Sequence, residues 1–417
     1  MRRRFTQYAV GMTTSYVINR LGLHGDGVAD GPVFVPMALP GEEVTGQLDG
    51  HQLTDVKILQ PSAARVSAPC RHFKACGGCQ LQHASDDLVA GWKVDMVRNA
   101  LAAHGLNAPF HPIETSAAQS RRRATFAAKR TKKGAMAGFF GRGGDAIIEI
   151  PGCILLDEKV RGGLVVAQEL ALVGASRKAA LAVTVTASLE GLDVAVQHGK
   201  PLDGPLRQEL AALCEGFGLA RLAWGDEVVA MRAPPTQRFG PALVVPPPGS
   251  FLQATADGEA ALLQAVQQIV GDAPQVVDLF AGCGTFALPL ALGAEVQAFE
   301  SAPEMIAALD QGWRRAKGLK KVTATARDLF RRPLMPDELA KIDAVVLDPP
   351  RAGAEAQVAE LAQSAVPTLA YVSCNPVTFA RDAAVLVAGG YQLDWVKVVD
   401  QFRWSAHIEL VAAFRRI

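Results

Sequence analysis

The stretch QVVDLFAGCGTF, from Gln275 to Phe286, decides the fold that we predict for this chain of 417 residues. A short run rich in β-branched residues, QVVDLF, leads directly into AGCGTF, whose two glycines permit a tight turn. Such a turn lets a ligand approach the backbone closely, while the next helix points its N-terminus at that ligand. The stretch therefore predicts a strand, a ligand-binding turn and a helix at the start of an α/β domain.

The sequence after this stretch alternates between strand-like and helical segments. The further strand-like runs are EVQAFE (295–300), KVTATA (321–326), IDAVVLD (342–348), TLAYVSC (368–374), DWVKVVD (394–400) and HIELVAAF (407–414). This alternation predicts a mostly parallel sheet wrapped by helices. The last two runs leave no room for a helix between them, so we expect an antiparallel pair at one edge of the sheet.

Acidic residues close the second and third of these strands. Glu300 lies twenty-two positions beyond Asp278, where a carboxylate can accept both hydroxyls of a ribose. A tight turn without a ligand would explain the glycines alone, but the acid favours a nucleoside-containing cofactor. The turn differs from the GxGxxG dinucleotide pattern and resembles motif I of the class I S-adenosylmethionine methyltransferases. In that fold Asp328 would meet the adenosine; a surface acid after a strand is the alternative.

Two further motifs lie at the ends of later strands. DPPR begins at Asp348, and SCNP places Cys374 between a buried strand and a helix that begins with proline. Functional residues of open α/β sheets collect beyond the carboxyl ends of the strands, so we expect Cys374 to face the cofactor turn. A lone cysteine is usually an inert core residue, but one in this place is a candidate nucleophile.

Methylation of uracil at carbon 5 is a reaction that requires such a thiolate. Carbon 5 of uracil is a poor nucleophile, and addition of sulfur at carbon 6 generates an enolate whose carbon 5 can attack a methyl sulfonium. A base must then remove the proton from carbon 5, so that the sulfur can leave. Glu409, in the otherwise apolar run HIELVAAF, is a candidate for this base. An ordinary glutamate at a strand edge is the alternative.

The order and spacing of DLFAGCGTF, DPPRAG, SCNP and HIE resemble the RNA 5-methyluridine methyltransferase family. The resemblance covers essentially the whole chain and includes SFLQAT, from Ser250 to Thr255, where the methyltransferase domain begins. It implies S-adenosylmethionine-dependent methylation of a uridine in RNA at carbon 5, with Cys374 as nucleophile and Glu409 as base. The cofactor-contacting positions that it implies are Gln253, Phe280, Thr285, Glu300, Asp328 and Asp348.

The chain departs from the family pattern at several positions. Thr255 stands where asparagine is common, and Thr285 and Asp328 stand where rRNA-directed relatives often have asparagine. The segment FRWS (402–405) replaces the usual Phe-Pro-His-Thr before the base. These differences concern the pocket and the substrate, because both catalytic positions are retained.

Three of the seven cysteines, Cys70, Cys76 and Cys79, form the pattern C-x5-C-x2-C. We predict that they bind one metal centre, with Cys153 as the distal fourth ligand; chance proximity is the alternative. Four thiolates suit zinc or an iron–sulfur cluster, and the spacing does not choose between them. The family resemblance implies a four-iron cluster (4Fe-4S), to which we assign a structural or RNA-orienting role because methyl transfer needs no electron.

The first part of the chain has glycines and prolines at short intervals between short strand-like runs, which predicts a small β-barrel. Through GDGVA (25–29) and VFVPMALPGEEV (33–44) it resembles a TRAM domain, an OB-like RNA-binding module. We also predict a helix from Asp86 to about residue 103 and a hairpin of residues 181–188 and 192–197. The resulting domains are a TRAM-like barrel (8–62), a small β-rich central domain with the cluster and an RNA-contacting surface (63–250), and a class I, Rossmann-like methyltransferase domain (251–417).

Composition allows two or three cores, since 49% of the residues are hydrophobic. The net charge of +1 neither supports nor excludes RNA binding, because the clustering of charge matters more. Basic clusters occur at Arg2-Arg3-Arg4, Arg121-Arg122-Arg123, 129–133 and Arg331-Arg332, and the resemblance favours residues 121–123 as contacts to the RNA backbone. The sequence has neither a signal-peptide core nor an apolar run of about 20 residues, so we expect a cytoplasmic protein away from membranes. We also expect a monomer.

The RNA substrate has two candidates. Family members with a cluster and a TRAM-like barrel often act on large-subunit rRNA, so 23S rRNA is the expected substrate and the tRNA T-loop is the alternative. A non-catalytic RNA-binding or ribosome-assembly factor is disfavoured by the presence of Cys374 and Glu409. A cytosine carbon-5 methyltransferase would have a Pro-Cys motif where this chain has Pro349-Pro350, and an amine methyltransferase would have an aromatic residue in place of Arg351.

Overall fold

The computed structural model describes residues 14–417. The strands in this range are β1 (Ser15–Leu21), β2 (Gly27–Ala29), β3 (Val33–Val35), β4 (Glu43–Asp49), β5 (Gln52–Gln60), β6 (Phe110–Thr115), β7 (Arg123–Arg130), β8 (Ala135–Phe140), β9 (Ile147–Glu149), β10 (Leu181–Ser188), β11 (Gly191–Gln197), β12 (Arg221–Trp224), β13 (Glu227–Met231), β14 (Gln237–Phe239), β15 (Ala242–Val244), β16 (Gln275–Leu279), β17 (Glu295–Glu300), β18 (Val322–Ala326), β19 (Ala344–Leu347), β20 (Thr368–Ser373), β21 (Tyr391–Asp400) and β22 (Glu409–Arg416). The helices are α1 (Asp86–Ala102), α2 (Glu158–Gly174), α3 (Gly204–Gly216), α4 (Ala256–Val270), α5 (Ala287–Leu290), α6 (Pro303–Arg315), α7 (Glu355–Gln363) and α8 (Pro376–Ala388). None of the helices in this range combines the length and the hydrophobicity that crossing a bilayer requires.

The chain forms two compact units. The first contains the described residues up to Pro69 together with Cys79–Trp92 and Trp404–Ala406, and the second contains Cys70–Gly78, Lys93–Arg403 and His407–Ile417. The boundary after residue 250 that we predict between the central and methyltransferase domains therefore lies inside the second unit. The division into three domains stays a prediction.

The first unit contains the predicted β-barrel, which is closed in the strand order β1-β2-β3-β5-β4. Its core consists of buried aliphatic side chains, among them Ile18, Val35, Val44 and Leu53. The barrel prediction is confirmed for the described residues. Residues 8–13 of the predicted domain and the Arg2-Arg3-Arg4 cluster lie outside the described residues.

The second unit is built around an eight-stranded sheet of order β18-β17-β16-β19-β20-β22-β21-β6. Its strands are parallel except β22, which runs antiparallel to both of its neighbours. The predicted antiparallel pair is confirmed, but its position at the edge is wrong. β6 pairs with the outer side of β21 and forms the edge itself, so the backbone groups along β21 do not remain unpaired.

Helices cover both faces of this sheet. Side chains of α7, α8 and the part of α1 from Lys93 onward pack on one face, and those of α4, α5 and α6 pack on the other. Successive residues of β16 alternate between the two cores, with Val276 in one and Val277 in the other. This two-sided burial explains why the strands read as continuous apolar runs rather than as alternating ones.

A second sheet in this unit has the order β13-β12-β11-β10-β7-β8-β9. It contains the predicted hairpin, in which β10 pairs antiparallel with β11 from Ala182 opposite Gln197 to Ser188 opposite Gly191. The predicted helix that begins at Asp86 is also confirmed and ends at Ala102.

Candidate active site

The reversed direction of β22 brings the two predicted catalytic residues together. Ser373, the last residue of β20, pairs with Leu410, the second residue of β22. Cys374 follows Ser373, and Glu409 precedes Leu410. Cys374 and Glu409 therefore occupy neighbouring positions at the carboxyl edge of the parallel strands. Asp348 follows β19, the strand on the other side of β20. The structure therefore gathers a thiol and two carboxyl groups at one edge of the sheet.

Cys374 is half-buried and immediately precedes the N-terminus of α8. The side chain of Asn375 caps that helix by accepting a hydrogen bond from the amide of Val377 at 3.0 Å. Burial, followed by the charges of Glu409 and Asp348, raises the pKa of Cys374 to about 11, whereas Arg351 opposes the shift. The sulfur is therefore a protonated thiol at neutral pH, and its activation requires loss of that proton.

The two carboxyl groups are poor acids in this environment. Burial raises the pKa of Asp348 to about 7. Glu409 is 3% exposed, and burial together with the charge of Asp348 raises its pKa well above its ordinary value. Arg351 and a hydrogen bond from Gln401 act in the opposite direction on Glu409. A carboxylate whose pKa is raised is a stronger base once it is ionised, which suits proton removal from carbon.

A buried amide network, which sequence reasoning missed, joins these groups. The amide of Ala254 can only donate, and it reaches Oε1 of Gln401 at 2.7 Å, so Nε2 of Gln401 is the donor to its other partners. That nitrogen hydrogen-bonds Oε1 of Gln253 and the carboxyl group of Glu409. Gln253 must then direct its own Nε2 to Asp348, at 3.4 Å. Gln401 thus connects the predicted base with a predicted cofactor-contacting residue.

The loop after β19 is held in place by α8 and β20. The fully buried Asp382 accepts hydrogen bonds from the amide of Ala354 at 2.7 Å and from the hydroxyl of Tyr371 at 2.6 Å. Asn375 donates to the carbonyl oxygen of Arg351 at 2.9 Å. The guanidinium of Arg351 lies 3.0 Å from Nδ1 of His407. These contacts fix the DPPR loop beside the thiol.

The glycine-rich turn after β16 has the left-handed backbone angles that glycine permits, in keeping with the predicted tight turn. Gly282 and Gly284 have φ angles of 54° and 94°, and Phe280 also has a positive φ of 63°. A Cβ atom at Gly284 would lie 2.8 Å from the side chain of Leu288, so a larger residue does not fit there. The turn leaves its backbone open to a ligand, as the predicted cofactor requires.

Glu300 lies at the end of β17 and contacts this turn. Its Oε2 accepts a hydrogen bond from the amide of Gly282 at 3.2 Å, and its Oε1 accepts one from the amide of Ala302 at 3.0 Å. Thr285 is half-buried in the same turn. A carboxylate held against a glycine turn suits the hydroxyls of a ribose, so these residues fit the nucleoside part of S-adenosylmethionine.

Phe280 and Asp328 are connected through Phe330, a residue that sequence reasoning did not single out. The rings of Phe280 and Phe330 lie 5.6 Å apart between centroids. Asp328 accepts a hydrogen bond from the amide of Phe330 at 3.0 Å. The three residues follow β16 and β18, so the predicted cofactor contacts Phe280 and Asp328 lie at the same edge of the sheet as Glu300.

Two of the departures from the family pattern have local structural roles. Thr255 is the N-cap of α4: its hydroxyl accepts a hydrogen bond from the amide of Gly258 at 3.1 Å, and it lies 2.8 Å from the hydroxyl of Ser116. Phe402, in the FRWS segment, lies edge-on to His407 and has the guanidinium of Arg121 5.7 Å from its ring centroid.

The predicted RNA-contacting arginines next to Arg121 face the protein. Arg122 forms an ion pair with Glu259 and donates from its Nε to the carbonyl oxygen of Gln253 at 3.0 Å. Arg123 is about half-buried and donates to the carbonyl oxygen of Gly249 at 2.9 Å. These two side chains therefore support the Gln253 segment.

Three of the four predicted metal-binding cysteines interact with one another. Burial raises the pKa of Cys76, and Cys70 raises it further. Burial likewise raises the pKa of Cys153, and both Cys70 and Cys76 add to the shift. Cys79 is a buried residue of the first unit. The donor chemistry suits a metal centre, but residues 14–417 contain no set of three or more histidine, cysteine or acidic side chains arranged to hold a metal ion.

Comparison with known proteins places this site in a family. Residues 315–416 match the sequence profile of the tRNA (uracil-5-)-methyltransferase family. An uncharacterized RNA methyltransferase of Brucella suis is 42% identical over 97% of this chain and 98% of its own. The 23S rRNA (uracil(1939)-C(5))-methyltransferase RlmD of Chromohalobacter salexigens is 34% identical over 96% of this chain and 88% of its own.

A solved structure shares the fold. The tRNA (uracil-54, C5)-methyltransferase of Pyrococcus abyssi, crystallised with S-adenosyl-L-homocysteine, superposes with a TM-score of 0.74 over 96% of this chain and 99% of its own, at 24% identity. The fold and the site thus define a class I S-adenosylmethionine methyltransferase with an N-terminal barrel. The chain belongs to the RNA uracil-5-methyltransferase family, and it is an S-adenosylmethionine-dependent RNA methyltransferase.

Proposed function

We propose that this protein methylates carbon 5 of a uridine in 23S rRNA, through a covalent bond between Cys374 and carbon 6 of the base. The observation that carries the proposal is the placement of Cys374 and Glu409 at neighbouring strand ends, at the same sheet edge as the glycine turn. The similarity to a 23S rRNA methyltransferase over nearly the whole chain supports rRNA as the substrate.

The first half of the reaction depends on Cys374. Its thiol loses a proton to solvent, and the sulfur forms a bond to carbon 6 of the uracil. The electron pair of the carbon 5–carbon 6 double bond moves toward the carbonyl group at carbon 4 and gives an enolate. Carbon 5 then bonds to the methyl group, which S-adenosylmethionine would supply when bound; the bond between that methyl group and the sulfonium sulfur would break, with S-adenosylhomocysteine as the leaving group.

The second half depends on Glu409. Its carboxylate removes the proton from carbon 5, the double bond re-forms, and the bond between carbon 6 and sulfur breaks to return Cys374 as a thiolate. Arg351 and the amide of Gln401 favour the ionised form of Glu409 that this step needs. The product is 5-methyluridine, with one proton left on the enzyme.

We assign the cofactor to residues along the same edge. Glu300 would accept the ribose hydroxyls, while Phe280 and Asp328 would flank the adenine. Gln253, Thr285 and Asp348 would complete the pocket on the side of the methyl group. The support is the hydrogen bond between Gln253 and Asp348 and the contact of Glu300 with the turn.

The substrate assignment predicts an RNA preference. With labelled S-adenosylmethionine, the purified enzyme should convert uridine to 5-methyluridine in unmodified 23S rRNA fragments and incorporate less label into tRNA transcripts. Nucleoside analysis after digestion identifies the product, and the Cys374→Ala protein is the matched control. A clear preference for tRNA would assign the enzyme to the T-loop instead.

We also propose a four-iron cluster on Cys70, Cys76, Cys79 and Cys153, supported by the C-x5-C-x2-C spacing of the first three cysteines and by the family resemblance. Protein purified without oxygen should be brown and contain about four iron atoms per chain. Cys153→Ser should lower the iron content. Cys214→Ser, which changes a buried cysteine of α3, should leave it unaltered. Stoichiometric zinc without iron would contradict the proposal.

A further inference from the structure

One lysine holds both ends of the segment that connects β21 and β22. Lys93 on α1 is fully buried. Its ammonium group donates to the carboxylate of Asp400 at 2.5 Å, to the carbonyl oxygen of His407 at 2.9 Å and to that of Phe402 at 3.3 Å. All three hydrogens of the ammonium group are therefore used by this one segment.

Asp400, the last residue of β21, is the second member of the pair. It is 1% exposed, and the carboxylate oxygen that binds Lys93 also accepts a hydrogen bond from the amide of Phe402 at 3.1 Å. The carbonyl oxygen of Asp400 accepts a further bond from the amide of Ser116 at 3.0 Å. A buried ion pair contributes little net stability compared with apolar residues of the same volume. The ion pair has a more specific effect on the conformation of the segment between β21 and β22, since few side chains other than lysine can bind three fixed acceptors at once.

The residues that bind Lys93 lie next to Gln401 and close to Glu409 in the sequence. Gln401, which hydrogen-bonds Glu409 and Gln253, lies between Asp400 and Phe402. Glu409 lies two residues beyond His407. A shift of the segment would therefore move the donor to the base and the base itself.

We infer that Lys93 and Asp400 form a positioning pair that fixes Gln401 and Glu409 for proton removal from carbon 5. This inference rests on the proposed function. A positioning role and a merely structural role of this ion pair predict different results. Misplacement of Glu409 slows the last chemical step, whereas a loss of general stability lowers the amount of folded enzyme.

The test is Lys93→Met, which keeps the length of the side chain and removes the three donors. We expect kcat to fall roughly 10- to 100-fold, as a displacement of about 1 Å at a catalytic group produces. Because proton removal follows methyl transfer, kcat/KM for S-adenosylmethionine should change much less than kcat, and the KM should fall together with kcat. The Cys374-linked, methylated RNA adduct should accumulate and appear as a slowly migrating band after denaturation.

The matched control is Lys397→Met, which removes the ion pair between Lys397 of β21 and Glu114 of β6 outside this segment. It should leave turnover and adduct level unchanged. If Lys93→Met does not fold, Lys93→Gln gives the same readout, since its shorter neutral amide has only two donor hydrogens and cannot bind all three acceptors. That variant should also slow turnover and accumulate adduct.

Two outcomes would overturn the positioning role. One is normal turnover in folded Lys93→Met or Lys93→Gln protein, and the other is a loss of turnover without any adduct. Failure of the proposed function itself is separable, because Glu409→Gln would then turn over normally. A stalled Glu409→Gln protein beside an unaffected Lys93→Met protein rejects only the inference about the pair.

Discussion

Cys374→Ala is expected to abolish methylation and to leave no covalent complex between protein and RNA. The alanine has no atom that can add to carbon 6 of the uracil, so carbon 5 never gains the electron density that attack on the methyl group requires. We expect kcat to fall by on the order of 10⁴-fold or more, as for other enzymes that lose their nucleophile. The measurement is transfer of label to 23S rRNA fragments, together with denaturing electrophoresis.

Two companion measurements make this result specific. Cys214→Ala removes a buried thiol of α3 and should retain turnover. RNA binding by Cys374→Ala should stay close to that of the wild type, because the half-buried thiol is a small part of any RNA contact. Retained methylation in Cys374→Ala would reject the covalent mechanism.

Glu409→Gln is expected to have the opposite signature, with methyl transfer but no release. Addition of Cys374 and attack of carbon 5 both precede proton removal, so the variant should complete them once. The amide cannot take the proton from carbon 5, and the bond between sulfur and carbon 6 then has no means to break. The enzyme should stall as a denaturation-resistant complex with methylated RNA, and multiple turnover should fall by roughly 10²- to 10⁴-fold.

The stalled complex should depend on both S-adenosylmethionine and RNA and should disappear in the double variant with Cys374→Ala. Glu295→Gln is the matched control, since Glu295 is an exposed residue at the opposite end of the same sheet. Normal turnover of Glu409→Gln would mean that another group acts as base. Asp348, whose pKa burial raises to about 7, is then the next residue to change.

The central sheet was predictable because its strands have both faces buried. QVVDL and TLAYVS read as apolar β-branched runs, and the structure has strands at Gln275–Leu279 and Thr368–Ser373. β6 was not predictable, because FHPIET contains a proline and no alternation. It is a strand because β21 offers it a partner, and such tertiary pairing leaves no local pattern.

The site was predictable where a residue follows a strand or belongs to a spaced motif, as Cys374 and Glu300 do. Gln401 and Lys93 were missed for a different reason. Lysine is almost always exposed, and the sequence does not show that Asp400, more than three hundred positions later, buries this one. The roles of the predicted catalytic, cofactor and cluster residues stay predictions that the variants above test.

The place of β22 in the sheet also limits the order in which the nascent chain can fold. β22 lies between β20 and β21, although it is made after both. During synthesis β21, and with it β6, cannot join the growing sheet until β22 has left the ribosome, whereas β16 to β20 and the glycine turn can assemble earlier. The cofactor turn can therefore form before the base is in place, and a chain from which β22 has not yet emerged does not hold the proposed nucleophile and base side by side.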